Sequence, residues 1–194
     1  MNANKFTGLY RFMHWSIAIC MVLLLITIFL RLTWMNKYHM AEIIGDYLAE
    51  HTDFSLSDDE LIVLAKKIRK PMWDWHIYIG YVVTGLFSIR FLLPLFGKMK
   101  FSNPFEKGIT TLERVRYSVY IIFYLCIVVS LVTGLMIKLG PPEMKKTMEA
   151  IHKPSIYYLV VYIVLHLISV FVAEFTYRKG IISDVISGKK KGEE

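Results

Sequence analysis

Cysteine is almost missing: two residues, Cys20 and Cys126, in a chain of 194. Both fall inside apolar runs, which leaves no disulfide framework and no Cys-x-x-Cys-His motif, and makes small buried apolar residues their expected role. Internal repeats and low-complexity segments are also absent. So, over long distances, is charge of either sign. Between Arg11 and Arg31, Arg116 and Lys138, and Lys153 and Glu174 lie stretches of 19, 21 and 20 residues with no Asp, Glu, Lys or Arg. The first of these ends in Arg31-Leu32-Thr33-Trp34 with no small-residue cleavage site after it, so a mature helix is expected there and not a secretory signal.

What fills the gaps is hydrocarbon. Hydrophobic residues make up 55% of the chain, aromatics 14%, and the mean hydropathy is +0.45, well above what a soluble domain of this length needs for its core. At about 1.5 Å per residue, each charge-free stretch can cross a bilayer core of roughly 30 Å. A fourth stretch, Trp75 to Gly97, holds one charge, Arg90, and is otherwise apolar enough to do the same. The expectation is an all-α membrane protein, a four-transmembrane-helix bundle forming one membrane-embedded domain over 1–194, with spans near 10–32, 73–97, 116–138 and 152–177.

The formal charge of +7 is distributed by topology. Lys5 and Arg11 lie at the amino end. Lys98, Lys100, Lys107, Arg114 and Arg116 lie between the second and third, and Arg178, Lys179 and Lys189 to Lys191 follow the fourth. These regions share one side of the membrane, and the positive-inside rule makes that side, with both termini, cytoplasmic. Nucleic acid is not implied. The opposite side carries a segment over 35–71 with seven acidic residues. In it Ser57, with Glu60 three residues on and Pro71 as a stop, predicts a short capped helix whose Leu61, Leu64, Ala65 and Ile68 share a face. "HMAEIIGDYLAE" predicts a second helix before it.

Six histidines occur, and His14, His76, His152 and His166 sit in or at the edge of spans, where an imidazole is costly and usually has a task. His39 and His51 belong to the external segment and read as solvated surface residues. On one continuous helix His152 and His166, 14 residues apart, would share a face within roughly 40° and lie about 21 Å apart along the axis. Following the chain in and out, depth pairs His14 with His166 and His76 with His152, two pairs in two layers. A zinc site normally gathers three or four close ligands. Two imidazoles facing across a bundle suit the axial positions of a haem iron instead. Arg11, three residues before His14, and Arg90, 14 after His76, are placed to reach haem propionates, with an ordinary topology anchor as the alternative for Arg11. Gly80 and Gly134 would either let a flat porphyrin approach the backbone or serve close helix packing. Trp15, Trp73 and Trp75 read as interfacial anchors.

"RFMHW" in the first span, "HIYIG…R" in the second, "TG" late in the third, the His152 to His166 spacing and the tail "GIISDVISG" together resemble the bacterial cytochrome b561 and hydrogenase-type cytochrome b superfamily. The resemblance implies a four-helix di-haem protein of the bacterial inner membrane, with two haem b groups held by the pairs His14/His166 and His76/His152. It further implies electron passage between a redox partner protein and quinone, and the tail is more similar to the cytochromes serving hydrogenases and dehydrogenases. An alternative within the superfamily is a superoxide-to-quinone oxidoreductase, which the acidic external segment disfavours. A haem-free membrane anchor or transporter is the remaining alternative. Pro154, two residues after His152, disfavours helical geometry just before it and predicts a start or kink in the fourth span.

Overall fold

The computed structural model describes residues 7–176 and 179–188. Lys5, Arg178 and Lys189 to Lys191, part of the basic side assigned from sequence, lie outside the described residues. The described chain is helical, without a strand: α1 Gly8–Leu32, α2 Lys37–His51, α3 Asp58–Ile68, α4 Lys70–Leu92, α5 Thr111–Leu139, α6 Lys145–His152, α7 Ser155–Phe175 and α8 Ile181–Ile186. Short 3-10 turns extend α4 to Phe96 and lead into α6, giving four candidate membrane spans: Gly8–Leu32, Lys70–Phe96, Thr111–Leu139 and Pro142–Phe175. Ile19, Ile26 and Phe29 of α1, Leu125 and Val129 of α5, and Val161, Ile168 and Phe171 of α7 are exposed. Such side chains on a helix of this length are solvated by lipid tails.

The spans begin earlier than charge alone predicts, and at the first and third a polar cap sets the start. The Thr7 hydroxyl accepts from the Tyr10 N–H at 3.2 Å, so α1 begins at Gly8 and not near residue 10. At Thr110 the hydroxyl accepts from the Glu113 N–H, and the Glu113 carboxylate takes the Thr110 N–H in return, a capping box that starts α5 five residues before Arg116. Pro71 opens α4 within its first turn, where a missing N–H costs nothing, instead of only closing α3. The fourth span is divided. α6 ends at His152, Lys153 and Pro154 keep right-handed backbone angles without continuing it, and α7 starts at Ser155. His152 closes α6 and His166 stands on α7.

The chain forms two compact units, one of Met1–Ser16 with Leu86–Glu194, the other Ile17–Gly85. In the second, α2 and α3 pack through small residues: Ala41 and Ala65 are buried, and a side chain at Gly45 would come within 3.1 Å of the Leu61 Cδ1. Ser57 gives both its N–H and its hydroxyl to the Glu60 carboxylate, at 2.9 and 2.7 Å, and these bonds hold that carboxyl below the usual glutamate range. Ile68, expected on the packed face, is exposed. The Arg69 Nη1 donates to the Met35 carbonyl at 3.2 Å, tying the end of α3 to the start of the segment. In the first unit the Tyr158 hydroxyl on α7 donates to the Cys126 carbonyl on α5 at 3.0 Å, a bond of about 1 kcal/mol net. Both cysteines are free.

Candidate functional site: intramembrane histidines

Within the first unit α1 and α7 bring His14 and His166 together, ring centres 6.0 Å apart with 49° between the planes. A metal–imidazole bond of about 2 Å on each side, plus roughly 1 Å from ring nitrogen to ring centre, makes a span of about 6 Å. The pair is thus spaced as two axial ligands of one iron are. Tyr10, one turn before His14, stacks on it at 6.1 Å, and Tyr162, one turn before His166, stacks on that ring at 5.8 Å and on Phe123 at 3.4 Å. Each imidazole plane thus runs nearly parallel to a tyrosine ring one turn earlier on its own helix. The Nδ1 of His166 is buried with no hydrogen-bond partner among the described residues.

His76 and His152 are held differently, each by oxygens of its own unit. In the second unit the Thr27 hydroxyl lies 2.6 Å from the Leu24 carbonyl and 2.8 Å from the His76 Nδ1; with its proton on the carbonyl, its oxygen can accept from an Nδ1–H. Trp73 stacks on His76 at 4.8 Å with 4° between planes, and the Arg31 guanidinium lies over Trp73 at 4.7 Å. Trp73 is therefore a wall of the histidine site and not simply an interfacial anchor. In the first unit the His152 Nδ1 meets the Ser130 carbonyl at 3.0 Å and the Thr133 oxygen at 3.2 Å, the Thr133 hydroxyl donating to the Val129 carbonyl at 2.7 Å. A carbonyl can only accept, so Nδ1 carries the proton and Nε2 the lone pair. Gly134 borders the same ring: a Cβ there would sit 3.1 Å from the His152 Cε1. What lies against Gly134 is thus a side chain of the neighbouring helix α6. At Gly80 a Cβ would meet no atom within 4 Å.

Two arginines complete the first unit. Arg90 is 8% exposed, its Nη1 buried without a hydrogen-bond partner among the described residues, its guanidinium 4.3 Å from the Phe101 ring centre and 5.5 Å from that of Tyr124. Arginine does not deprotonate, and cation–π contact returns about 2 kcal/mol against a burial cost of several, so an anion beside Arg90 would be stabilised there. Arg11, whose Nε is likewise buried and unpaired, packs on the tail. Gly188 adopts a φ of +71°, and any side chain there would run into the Arg11 guanidinium. The Trp15 indole donates to the Val185 carbonyl at 3.2 Å, and the Glu174 carboxylate accepts the Gly180 and Ile182 N–H groups at 2.9 and 3.1 Å, capping α8. Sequence reading took Glu174 only as the end of a span and missed this role; an acid shortly before a Gly-Ile-Ile-Ser start is the signal that marks it.

α8 is too short to persist without that cap. A Glu174→Gln change is expected to speed amide exchange across residues 179–188 by at least tenfold, the loss of a charge-assisted bond of about 1.5–3 kcal/mol. Hydrogen-exchange mass spectrometry in detergent measures it, and wild-type protection in the variant would refute the capping role.

His39 lies 3.7 Å from Glu42, and His51 bonds the Tyr47 carbonyl at 3.0 Å and stacks on its ring; both are exposed. No group of three or more His, Cys, Asp or Glu side chains with metal-binding geometry occurs among the described residues. Paired imidazoles, oriented Nδ1 atoms and orphaned guanidinium N–H groups fit a large anionic cofactor ligated by histidine better than a compact ion.

A helical chain with four membrane-length helices and histidines so arranged falls in the class of membrane cytochromes. The family model described as prokaryotic cytochrome b561 matches residues 5–188, nearly the whole chain, and the protein belongs to that family. It is accordingly a multi-pass prokaryotic membrane protein, a b-type haem-binding cytochrome of electron transfer. No curated protein and no solved structure matches it.

Proposed function

We propose that this cytochrome carries two b haems, one on His14 and His166 and one on His76 and His152, and passes electrons across the bacterial inner membrane between a redox partner protein and the quinone pool. Both termini face the cytoplasm in this reading, and the partner is of the hydrogenase or dehydrogenase kind. The observation that carries it is the 6.0 Å spacing of the His14 and His166 rings on helices 152 residues apart in sequence, which no local structure requires. The pairing of His76 with His152 rests on chain order and depth, supported within each unit by the oxygen beside each Nδ1.

Bound haem supplies a reversible one-electron couple at the iron. The protein's part is to hold the ligands and set the charge. Tyr10 and Tyr162 keep the His14 and His166 rings in plane, Thr27 and Ser130 direct the His76 and His152 Nε2 lone pairs, and Arg11 and Arg90 offer unpaired N–H groups to propionates. A pyridine haemochrome assay on the purified protein is expected to give two b haems per chain. One haem would leave a single histidine pair functional, and none would return the chain to a membrane anchor or transporter.

A further inference from the structure

The two histidine pairs differ in one respect that ligation alone does not require. His76 and His152 each place Nδ1 against oxygen, whereas the Nδ1 of His166 is buried with no hydrogen-bond partner among the described residues. The two threonines concerned are built alike. Thr27 is 7% exposed and Thr133 5%, and each turns its hydroxyl proton back onto a carbonyl of its own helix, Leu24 at 2.6 Å and Val129 at 2.7 Å. With that proton committed, the threonine oxygen is an acceptor only. It faces imidazole Nδ1 at 2.8 Å in one case and 3.2 Å in the other.

We infer that Thr27 and Thr133 are positioning residues that tune the haem held by His76 and His152, lowering its potential relative to that held by His14 and His166. This rests on the haem-ligand reading above. A hydrogen bond donated from Nδ1–H moves electron density toward Nε2 and makes the imidazole the stronger base. A stronger donor stabilises the ferric iron, which carries the extra positive charge, more than the ferrous, so reduction becomes harder. His166, with no acceptor for its Nδ1, lacks this push, and its haem is left the better electron acceptor of the two. The structure also ranks the two threonines. His152 keeps the Ser130 carbonyl at 3.0 Å whatever stands at 133, whereas the shorter bond to His76 comes from Thr27.

Redox titration of the purified holoprotein, following the haem bands of Thr27→Val, Thr27→Ser and Thr133→Val, tests this. Valine keeps the shape and removes the acceptor; serine keeps the acceptor. Thr27→Val should retain both haems and make one of them easier to reduce by roughly tenfold in equilibrium constant, about 59 mV for a one-electron couple. Thr133→Val should move the same haem in the same direction by less, and Thr27→Ser should stay at the wild-type value. Unmoved potentials in Thr27→Val, a shift to lower potential, or an equal shift in Thr27→Ser would each overturn the inference. If Thr27→Val loses haem, Thr133→Val decides, and an unmoved potential there overturns it. Absence of b haem from the wild-type protein would instead sink the haem reading itself, so the two failures are distinguishable.

Discussion

On the two-haem proposal, changing His166 to alanine is expected to remove one haem and leave the other. Haem content by pyridine haemochrome is expected to fall from two per chain to one, with the remaining haem keeping its wild-type potential. The pair acts as a unit: with one axial nitrogen gone, the ring of His14, 6.0 Å away, cannot alone hold a six-coordinate iron. His14→Ala should therefore give the same single-haem product, and the double variant should be no worse than either, as residues sharing one role are not additive. The helices themselves should survive. The Nδ1 of His166 has no hydrogen-bond partner among the described residues, so the change breaks no such bond and gives up only the packing of the ring, including its stack on Tyr162. Far-UV circular dichroism at the wild-type level together with one haem would mark a ligand, whereas collapse of the helical signal would mark a packing residue. Two haems retained in His166→Ala would end the assignment of this pair.

Much of this was legible in the chain and some was not, for physical reasons that can be named. The spans follow from the long gaps in charge, because a bilayer tolerates so few ionised groups that their absence is a direct signal. Their ends are less legible. At the first and third spans capping oxygens and not charges set the start, and the Thr110 to Glu113 spacing that starts α5 is the same pattern as Ser57 to Glu60, though lysines and arginines nearby draw the boundary to Arg116. The division of the fourth span is announced by Pro154, but the contacts of the His152 ring with Ser130 and Thr133 are tertiary and cannot be read from the chain. The four histidines stand out because each is anomalous where it lies. Thr27 and Thr133 do not, since a threonine in an apolar helix can satisfy its own hydroxyl one turn back and so looks ordinary. Their second role is visible only when another helix brings an imidazole to the oxygen. The Arg31 stack on Trp73 and the tail beneath Arg11 are of the same kind, contacts between elements far apart in sequence.

Gly134 provides the second large effect, because the room it leaves is used to the limit. A Cβ at this position would lie 3.1 Å from Cε1, 3.5 Å from Nδ1 and 3.9 Å from Nε2 of His152. An alanine is expected to displace the imidazole by a few tenths of an ångström, enough to lengthen the 3.0 Å contact with the Ser130 carbonyl without breaking it. A valine adds two further methyls against the same ring and must expel it, since Thr133 and Ser130 on the same helix cannot retreat from their own backbone. Gly134→Val should consequently bind one haem instead of two, and the one it keeps should be that of His14 and His166. Combining Gly134→Val with His166→Ala should leave no haem, whereas combining it with His152→Ala should be no worse than His152→Ala alone. Gly134→Ala should keep both haems with the potential of one of them shifted, a graded response that a mere helix-packing glycine would not produce. If Gly134→Val retained two haems at wild-type potentials, His152 would not be a ligand in the position found here.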